Sequence, residues 1–152
     1  MSEIDDAKLG LHLLEVEITT KCNLDCRHCY NRTNKNHDMP LDDVINLIRF
    51  AEANGVQKFI VSGGEAALHE KFEDLADYIK SNKPNLKMVV QSNGLIGKMD
   101  IEIVKAFDIV HLSFEIDDSA IRKTFVKDMV NTAKRFIDAG IYTYFFATVQ
   151  SR

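Results

Sequence analysis

The chain has 152 residues, of which 45% are hydrophobic and 28% charged, a composition typical of a soluble globular domain. Its net charge of -4 comes from 19 basic and 23 acidic residues without a basic block, so nucleic acid is not indicated as a partner. No apolar run approaches the ~20 residues that a membrane-spanning helix needs, and the acidic start is unlike a signal peptide. We therefore predict a cytoplasmic protein with one domain over residues 1–152, in which 1–11 form an N-terminal segment.

Hydrophobic patterning predicts strands and helices that alternate along the chain. Leu13–Thr20 alternates apolar and polar residues, which is the period of a half-buried strand. A helical pattern then follows Pro40 and ends at Asn54 and Gly55. The later predicted elements are a strand over 58–62, a helix over 70–81, a strand over 86–91, a short helix over 101–107, a strand over 109–115, a helix over 121–139 and a strand over 141–149. This alternation predicts right-handed βαβ units and a parallel sheet.

The fourth predicted strand helps to choose between an open doubly wound sheet and a barrel. His111, Ser113 and Glu115 share one of its faces, and apolar residues share the other. A central strand of an open sheet is apolar on both faces, whereas a polar inner face suits a barrel lumen that holds a polar ligand. An edge strand would show the same pattern. The predicted fold is α/β, a partial (β/α) barrel of five parallel strands and four helices.

All three cysteines of the chain lie directly after the first predicted strand. Cys22, Cys26 and Cys29 are spaced C-x3-C-x2-C, and thiolates this close in sequence can reach one metal ion or cluster. A cubane iron–sulfur cluster normally takes four cysteines, so three would leave one iron open to a ligand. A zinc site completed by His28 or His37 is the alternative. A disulfide framework is disfavoured, because three cysteines cannot all pair.

The run Glu17–Tyr30 resembles the cluster loop of the radical S-adenosylmethionine (SAM) superfamily. The likeness includes Asn23 after the first cysteine and an aromatic-type residue, His28, before the last. It implies that the three cysteines hold a 4Fe–4S cluster whose open iron chelates the amino and carboxylate groups of SAM. It also implies cleavage of SAM to methionine and a 5'-deoxyadenosyl radical that abstracts hydrogen from an unidentified substrate. An electron donor such as flavodoxin or ferredoxin would then be a partner.

The resemblance further implies that SAM contacts the ends of the later strands. Gly63, Gly64 and Glu65 are similar to the family motif that holds the methionine amino group, although Ala66 replaces the usual proline. Taken alone, a Gly-Gly-Glu sequence more often forms a plain strand-to-helix turn. The remaining implied SAM-binding residues are Ser92 and Asn93 in the third-strand turn, Ser113 and Glu115 near the ribose, and Tyr30 near the adenine. Ser92 and Asn93 could instead form an ordinary Asn-Gly turn. The alternative for Ser113 and Glu115 is a solvated strand face, and the alternative for Tyr30 is packing against the cysteine loop.

Four of the five histidines lie outside the run Glu17–Tyr30. His12, His37 and His69 lack a partner pattern, so we predict that they are solvated. His111, on the fourth strand, could face the lumen as a proton donor, but we predict a structural hydrogen bond.

The cysteine loop is similar to those of peptide-modifying and haem-pathway members, which makes a peptide or a tetrapyrrole precursor a candidate substrate. The alternative function is non-enzymatic: an electron carrier with an iron–sulfur cluster, or a zinc-stabilised binding module. The fifth predicted strand, over 141–149, is apolar and aromatic, and such an edge is an aggregation hazard. We therefore predict that residues 1–11, another subunit or further polypeptide covers it.

Overall fold

The computed structural model describes residues 11–26, 29, 36–116 and 120–149, without the side chains of 114–116, 120–125 and 148–149. Its strands are β1 (Leu13–Thr19), β2 (Lys58–Gly63), β3 (Lys87–Ser92), β4 (Ile109–Ile116) and β5 (Tyr142–Val149). Its α-helices are α1 (Leu41–Ala53), α2 (Phe72–Asn82), α3 (Ile101–Val104) and α4 (Ala120–Asp138). Every predicted element is present. The third helix ends at Val104 rather than at 107, and short 3-10 helices at Ala66–Leu68 and Leu95–Lys98 were not predicted.

The strands form one parallel sheet in the order β1-β2-β3-β4-β5. This order advances in one direction, as in a (β/α) barrel, whereas the order of a doubly wound sheet reverses at a switch point. The predicted partial barrel is therefore confirmed. No helix in the described ranges is long and apolar enough to cross a membrane.

The two faces of the sheet have different surroundings. One face packs against the helices, and its buried core residues include Val16, Ile18, Phe59, Val61, Met88, Val90, Val110 and Leu112. They meet apolar residues of α1, α2 and α4, among them Val44, Ile48, Leu75, Ile79 and Phe136. Because side chains alternate along a strand, the residues between them point to the other face. We call this second face the lumen face.

The ends of α1 follow directly from the local sequence. The helix begins after Pro40, with Asp42 and Asp43 in its first turn, where negative charge is favourable beside the positive end of the helix dipole. Gly55 then adopts a φ of 71°, which ends the helix as predicted. The position of α1 fixes the far end of the loop that carries the cysteines.

The last strand, β5, is an edge strand of the described sheet and pairs only with β4 there. Tyr142 and Phe146 are 67% and 60% exposed on it. The prediction that further polypeptide covers this strand is not tested by the described residues, and it stays a prediction.

Candidate cofactor and active site

The loop between β1 and α1 is closed at its base by backbone hydrogen bonds. The Thr20 N–H donates to the His37 carbonyl over 2.8 Å, and the Met39 N–H donates to the Ile18 carbonyl over 2.8 Å. These bonds bring the two ends of the loop together. The cysteines are therefore presented at the C-terminal end of β1, where ligands bind in parallel α/β folds.

Asp38 stabilises this closed base through its carboxylate. Oδ1 accepts from Thr19 Oγ1 over 2.6 Å, and Oδ2 accepts from Lys21 Nζ over 2.5 Å. Oδ2 also accepts from the Glu70 N–H over 3.1 Å. Burial raises the pKa of Asp38, but these hydrogen bonds outweigh burial and lower the pKa to about 2. We call Asp38 with Thr19 and Lys21 the loop clamp. Sequence reasoning missed it, since Asp38 lies 19 residues after Thr19 and 17 after Lys21.

We expect Asp38→Asn to lower the free energy of unfolding by about 1.5–3 kcal/mol, because charge-assisted hydrogen bonds are lost at a nearly buried site. Urea denaturation at neutral pH measures the change. In the unaltered chain this contribution is present above the ordinary carboxyl pKa of 3.8 and is lost as pH falls towards about 2.

The matched control for the clamp is Asp74→Asn. The Lys71–Asp74 pair is 3.3 Å long, with side chains 56% and 57% exposed, and exposed pairs contribute about 0–1 kcal/mol. Equal losses in the two variants would show that the clamp contributes no more than a surface ion pair.

His69 lies inside the structure, so the prediction that it is solvated is wrong. The residue is 4% exposed. Its Nε2 donates to the Met39 carbonyl over 2.8 Å, and Nδ1 accepts from the Lys71 N–H over 3.0 Å. Its burial depends on the chain segment before α1, which no local pattern around residue 69 reveals. His12 and His37 are exposed, as predicted.

The chemistry of the three cysteines suits a cluster. Cys22, Cys26 and Cys29 are half-buried and form no disulfide. The Sγ of Cys22 accepts from the Leu24 N–H over 3.4 Å and from Asn93 Nδ2 over 3.7 Å, and N–H donors stabilise a thiolate. Within the described ranges, no three His, Cys, Asp or Glu side chains already converge as a metal site.

The Gly63-Gly64-Glu65 turn packs directly against the chain as it leaves β1. The Gly64 N–H donates to the Thr19 carbonyl over 2.8 Å, and the Glu65 N–H donates to the Lys21 carbonyl over 2.7 Å. A Cβ on Gly64 would lie 2.4 Å from the Lys21 carbonyl oxygen, so this approach requires glycine. Gly63 has a φ of 150°, which also favours glycine. The turn is thus seated beside the cysteine loop.

Glu65 is 1% exposed, and both of its carboxylate oxygens are hydrogen-bonded. Oε1 accepts from the Ala67 N–H over 3.3 Å, and Oε2 accepts from the Asn93 N–H over 2.7 Å. Burial raises the pKa of Glu65, and the hydrogen bonds oppose that rise. Because the folded protein holds this proton more tightly than the unfolded chain does, ionised Glu65 lowers the free energy of unfolding as pH rises. A cation beside Glu65 would stabilise the ionised carboxylate and offset this loss of stability.

Asn93 connects the third-strand turn to the cysteine loop. Its Nδ2 donates to Asn23 Oδ1 over 2.9 Å as well as to Cys22 Sγ. Ser113 Oγ, on β4, donates to the Ser92 carbonyl over 3.3 Å. The ends of β1, β2, β3 and β4 are therefore joined by hydrogen bonds, and the structure brings the predicted residues at these ends together.

Other predicted residues cannot be placed in this group. Tyr30 lies outside the described residues, as does His28. The side chain of Glu115 is also outside them, although its backbone pairs with Thr148.

His111 lies on the lumen face, where its ring centroid is 4.1 Å from that of Tyr144. Its Nε2 is buried and has no hydrogen-bond partner in the described part of the chain. The predicted structural hydrogen bond is therefore wrong for this nitrogen. Burial lowers the pKa of His111, partly offset by Glu15, so the neutral ring is favoured.

A parallel partial barrel with a three-thiol loop and a Gly-Gly-Glu turn at adjacent strand ends is the architecture of a cluster-dependent (β/α) enzyme. The family model of the Radical SAM superfamily matches residues 16–150. The chain belongs to this superfamily, whose members are enzymes that use a 4Fe–4S cluster and SAM.

Curated relatives include the GTP 3',8-cyclase of Helicobacter pylori strain 26695, which is 23% identical over 119 residues, or 75% of this chain and 37% of that protein. The probable GTP 3',8-cyclase of Methanosarcina mazei is 29% identical over 112 residues, or 68% of this chain and 32% of that protein. The chain thus spans about a third of the length of these relatives, 37% and 32% respectively.

Solved structures show the same fold. SuiB of Streptococcus suis, bound to S-adenosylmethionine, matches with a TM-score of 0.75 and 24% identity over 92% of this chain and 35% of that one. Native anSMEcpe with bound AdoMet and Cp18Cys peptide matches with a TM-score of 0.62 and 20% identity over 88% of this chain and 41% of that one.

Proposed function

We propose that residues 1–152 form the SAM-cleaving core of a radical SAM enzyme. Cys22, Cys26 and Cys29 would hold the cluster, and Gly63–Glu65 would hold the amino group of SAM. When bound, these cofactors supply one reaction: an electron from a donor such as flavodoxin or ferredoxin converts SAM to methionine and a 5'-deoxyadenosyl radical, which takes a hydrogen atom from the substrate. Thiols stay reduced in the cytoplasm, which is the reason that we predict a cytoplasmic location.

One observation carries the proposal: hydrogen bonds run from Glu65 through Asn93 to the cysteine loop. The Glu65 carboxylate accepts from the Asn93 N–H, and the Asn93 amide donates to Cys22 Sγ and Asn23 Oδ1. A group held at Glu65 would therefore keep a constant position relative to the first cysteine. Reductive cleavage requires such a constant position, because orientation of bound reactants supplies much of a rate enhancement.

The remaining predicted SAM contacts divide into two groups. Ser92 is 2% exposed, and its Oγ accepts from the Gly94 N–H over 3.0 Å, so it would shape the turn that presents Asn93. Ser113 is only partly buried and would contact the ribose together with Glu115, while Tyr30 would lie near the adenine. These roles complete the cofactor site that we propose.

Anaerobic reconstitution tests the function. We expect about four irons per chain, broad visible absorption, and 5'-deoxyadenosine by mass spectrometry after reduction with dithionite in the presence of SAM. The control is a reduced sample without SAM. A cluster that is reduced but neither binds nor cleaves SAM would indicate an electron carrier, and a colourless, zinc-loaded protein would indicate a zinc module.

A further inference from the structure

Asn93 lies in the turn after β3 and contacts the loop that carries the cysteines. Its amide nitrogen, Nδ2, donates to Cys22 Sγ over 3.7 Å and to Asn23 Oδ1 over 2.9 Å. An amide nitrogen carries two hydrogens, so these two bonds use both of them. The resemblance to the family implies a contact with SAM for Asn93, whereas both donor bonds of its side chain lead to the first cysteine and the residue after it.

The orientation of this amide follows from the hydrogen bonds around it. The Leu95 N–H donates to Asn93 Oδ1 over 3.3 Å, which holds the oxygen on the side of the turn and leaves the nitrogen facing the sulfur. A reversed amide would place its oxygen against Asn23 Oδ1 and its nitrogen against the Leu95 N–H, so the bonds at both ends would be lost. The network therefore assigns a donor, and not an acceptor, to the position beside Cys22 Sγ.

The backbone on both sides of the Asn93 side chain is also held by hydrogen bonds. The Asn93 N–H donates to the buried Glu65 carboxylate over 2.7 Å. The buried Ser92 Oγ accepts from the Gly94 and Ile96 N–H groups over 3.0 and 3.3 Å. These bonds fix the turn in one conformation, so the amide is presented to Cys22 in a preorganised position.

Cys22 Sγ receives hydrogen bonds from two different parts of the chain. The Leu24 N–H, in the cysteine loop itself, donates to it over 3.4 Å, and Asn93 Nδ2 donates from the turn after β3. The first donor is a backbone group, whereas the second depends on which side chain occupies position 93. Hydrogen bonds to cysteine sulfurs are among the factors that set the reduction potential of an iron–sulfur cluster. Position 93 is therefore where a side chain of the β3 turn can act on a cluster held by Cys22.

A donor beside a cysteine sulfur stabilises the reduced cluster more than the oxidised cluster. Reduction adds one electron from a low-potential one-electron donor, and the cysteine sulfurs share the added negative charge. A bond from Asn93 Nδ2 to Cys22 Sγ becomes stronger as the negative charge on the sulfur increases. The bond therefore raises the reduction potential. Because Asn93 and Cys22 are both only partly buried, water screens the interaction and the effect is moderate.

We propose that Asn93 is a positioning residue of the cluster site, an inference that rests on the proposed function: its amide donates to Cys22 Sγ, fixes the first cysteine against the β3 turn and makes the cluster easier to reduce. This role is present before SAM binds, so it is separate from a contact between Asn93 and SAM. Reduction of the cluster precedes SAM cleavage, and the amide of Asn93 thus favours the step that the electron donor performs.

A redox titration of the reconstituted chain without SAM tests the proposal. Dithionite and mediators set the potential, and electron paramagnetic resonance measures the reduced cluster. Asn93→Leu keeps the branching of the side chain but removes the donor. We expect the ratio of reduced to oxidised cluster at a fixed potential to fall about threefold to tenfold, where tenfold corresponds to about 59 mV for one electron. An unchanged ratio in Asn93→Leu would overturn the proposal.

A second variant, Asn93→Asp, keeps the shape of the side chain and reverses its electrostatic effect. One carboxylate oxygen can still accept from the Leu95 N–H, so the turn retains this bond. The other oxygen would place a negative charge beside Cys22 Sγ, where the donor had been. We therefore expect a larger fall in the ratio than in Asn93→Leu. This variant also provides the measurement if Asn93→Leu fails to fold, and a ratio equal to or above that of the unaltered chain would overturn the proposal.

The matched control is Asn82→Leu, at the exposed last residue of α2. The Asn82 amide donates to the Tyr78 carbonyl of the same helix over 2.8 Å. Because a helix that connects two parallel strands runs back along the sheet, the end of α2 lies at the opposite end of the strands from the cysteines. The control should leave the ratio unchanged. Equal shifts in Asn82→Leu and Asn93→Leu would show that the amide beside Cys22 has no particular role.

Iron content, SAM affinity and formation of 5'-deoxyadenosine are measured on the same samples. A chain that takes up no cluster contradicts the proposed function and this inference together. A chain that takes up the cluster but does not cleave SAM contradicts the proposed function alone. If the Asn93 variants lose SAM affinity while the potential measured without SAM is unchanged, Asn93 contacts SAM only, and this inference alone is wrong.

Discussion

Replacement of Cys22, Cys26 or Cys29 by alanine is expected to abolish assembly of a stable four-iron cluster. Two thiolates cannot hold a cubane that already leaves one iron without a protein ligand. The unaltered chain should reconstitute with about four irons and a similar amount of sulfide. Iron and acid-labile sulfide analysis of each single variant measures the loss. Full four-iron occupancy in all three variants would show that the cluster assignment is wrong.

Two comparisons make the cysteine experiment specific. The cysteines lie in a loop outside the buried core, so circular dichroism of each iron-free variant should match that of the unaltered chain. Ser81→Ala, at an exposed position of α2, is the control and should reconstitute fully. The double variant His28→Ala with His37→Ala separates the cluster from the zinc alternative, because only a zinc site completed by one of these histidines would lose its metal.

Replacement of Glu65 by alanine is expected to weaken SAM binding while the cluster remains. Loss of a desolvated, charge-assisted contact with the SAM ammonium should cost about 1.5–3 kcal/mol, or about ten- to a hundredfold in affinity. The carboxylate is buried, and burial raises its pKa. The electrostatic attraction between this carboxylate and a cation beside it is therefore stronger than at the protein surface. Calorimetry on reconstituted protein measures the affinity. Unchanged affinity would assign Glu65 a purely structural role.

The structure adds a second expected effect of the Glu65 change. Removal of the carboxylate leaves the Ala67 and Asn93 N–H groups without their acceptor, which should cost about 1–3 kcal/mol of stability. Glu65→Gln should recover only part of this loss, because its amide nitrogen would face one of these N–H donors. Leu75→Ala is the control: it should lower stability without a tenfold loss of SAM affinity, since Leu75 is buried in the core on α2 and is not part of the Glu65 turn.

The sequence by itself was sufficient to predict the strands and α-helices and their order along the chain, but not the two short 3-10 helices. Alternation in Leu13–Thr20, the cap at Gly55 and the helical periodicity after Pro40 are local signals, and local backbone preferences decide local structure. The spacing of the cysteines and the Gly63-Gly64 pair are equally local. Their positions after strands were enough to predict that they meet at one end of a parallel sheet.

Only the tertiary structure decided which of these residues contact each other. Asn93 reaches Cys22 across 71 positions of sequence, and Asp38 reaches Thr19 across 19. The burial of His69 depends in the same way on Met39, 30 residues earlier. Such contacts are set by how strands align and how loops return to them, and the periodicity of a single strand contains no information about its register against a neighbour.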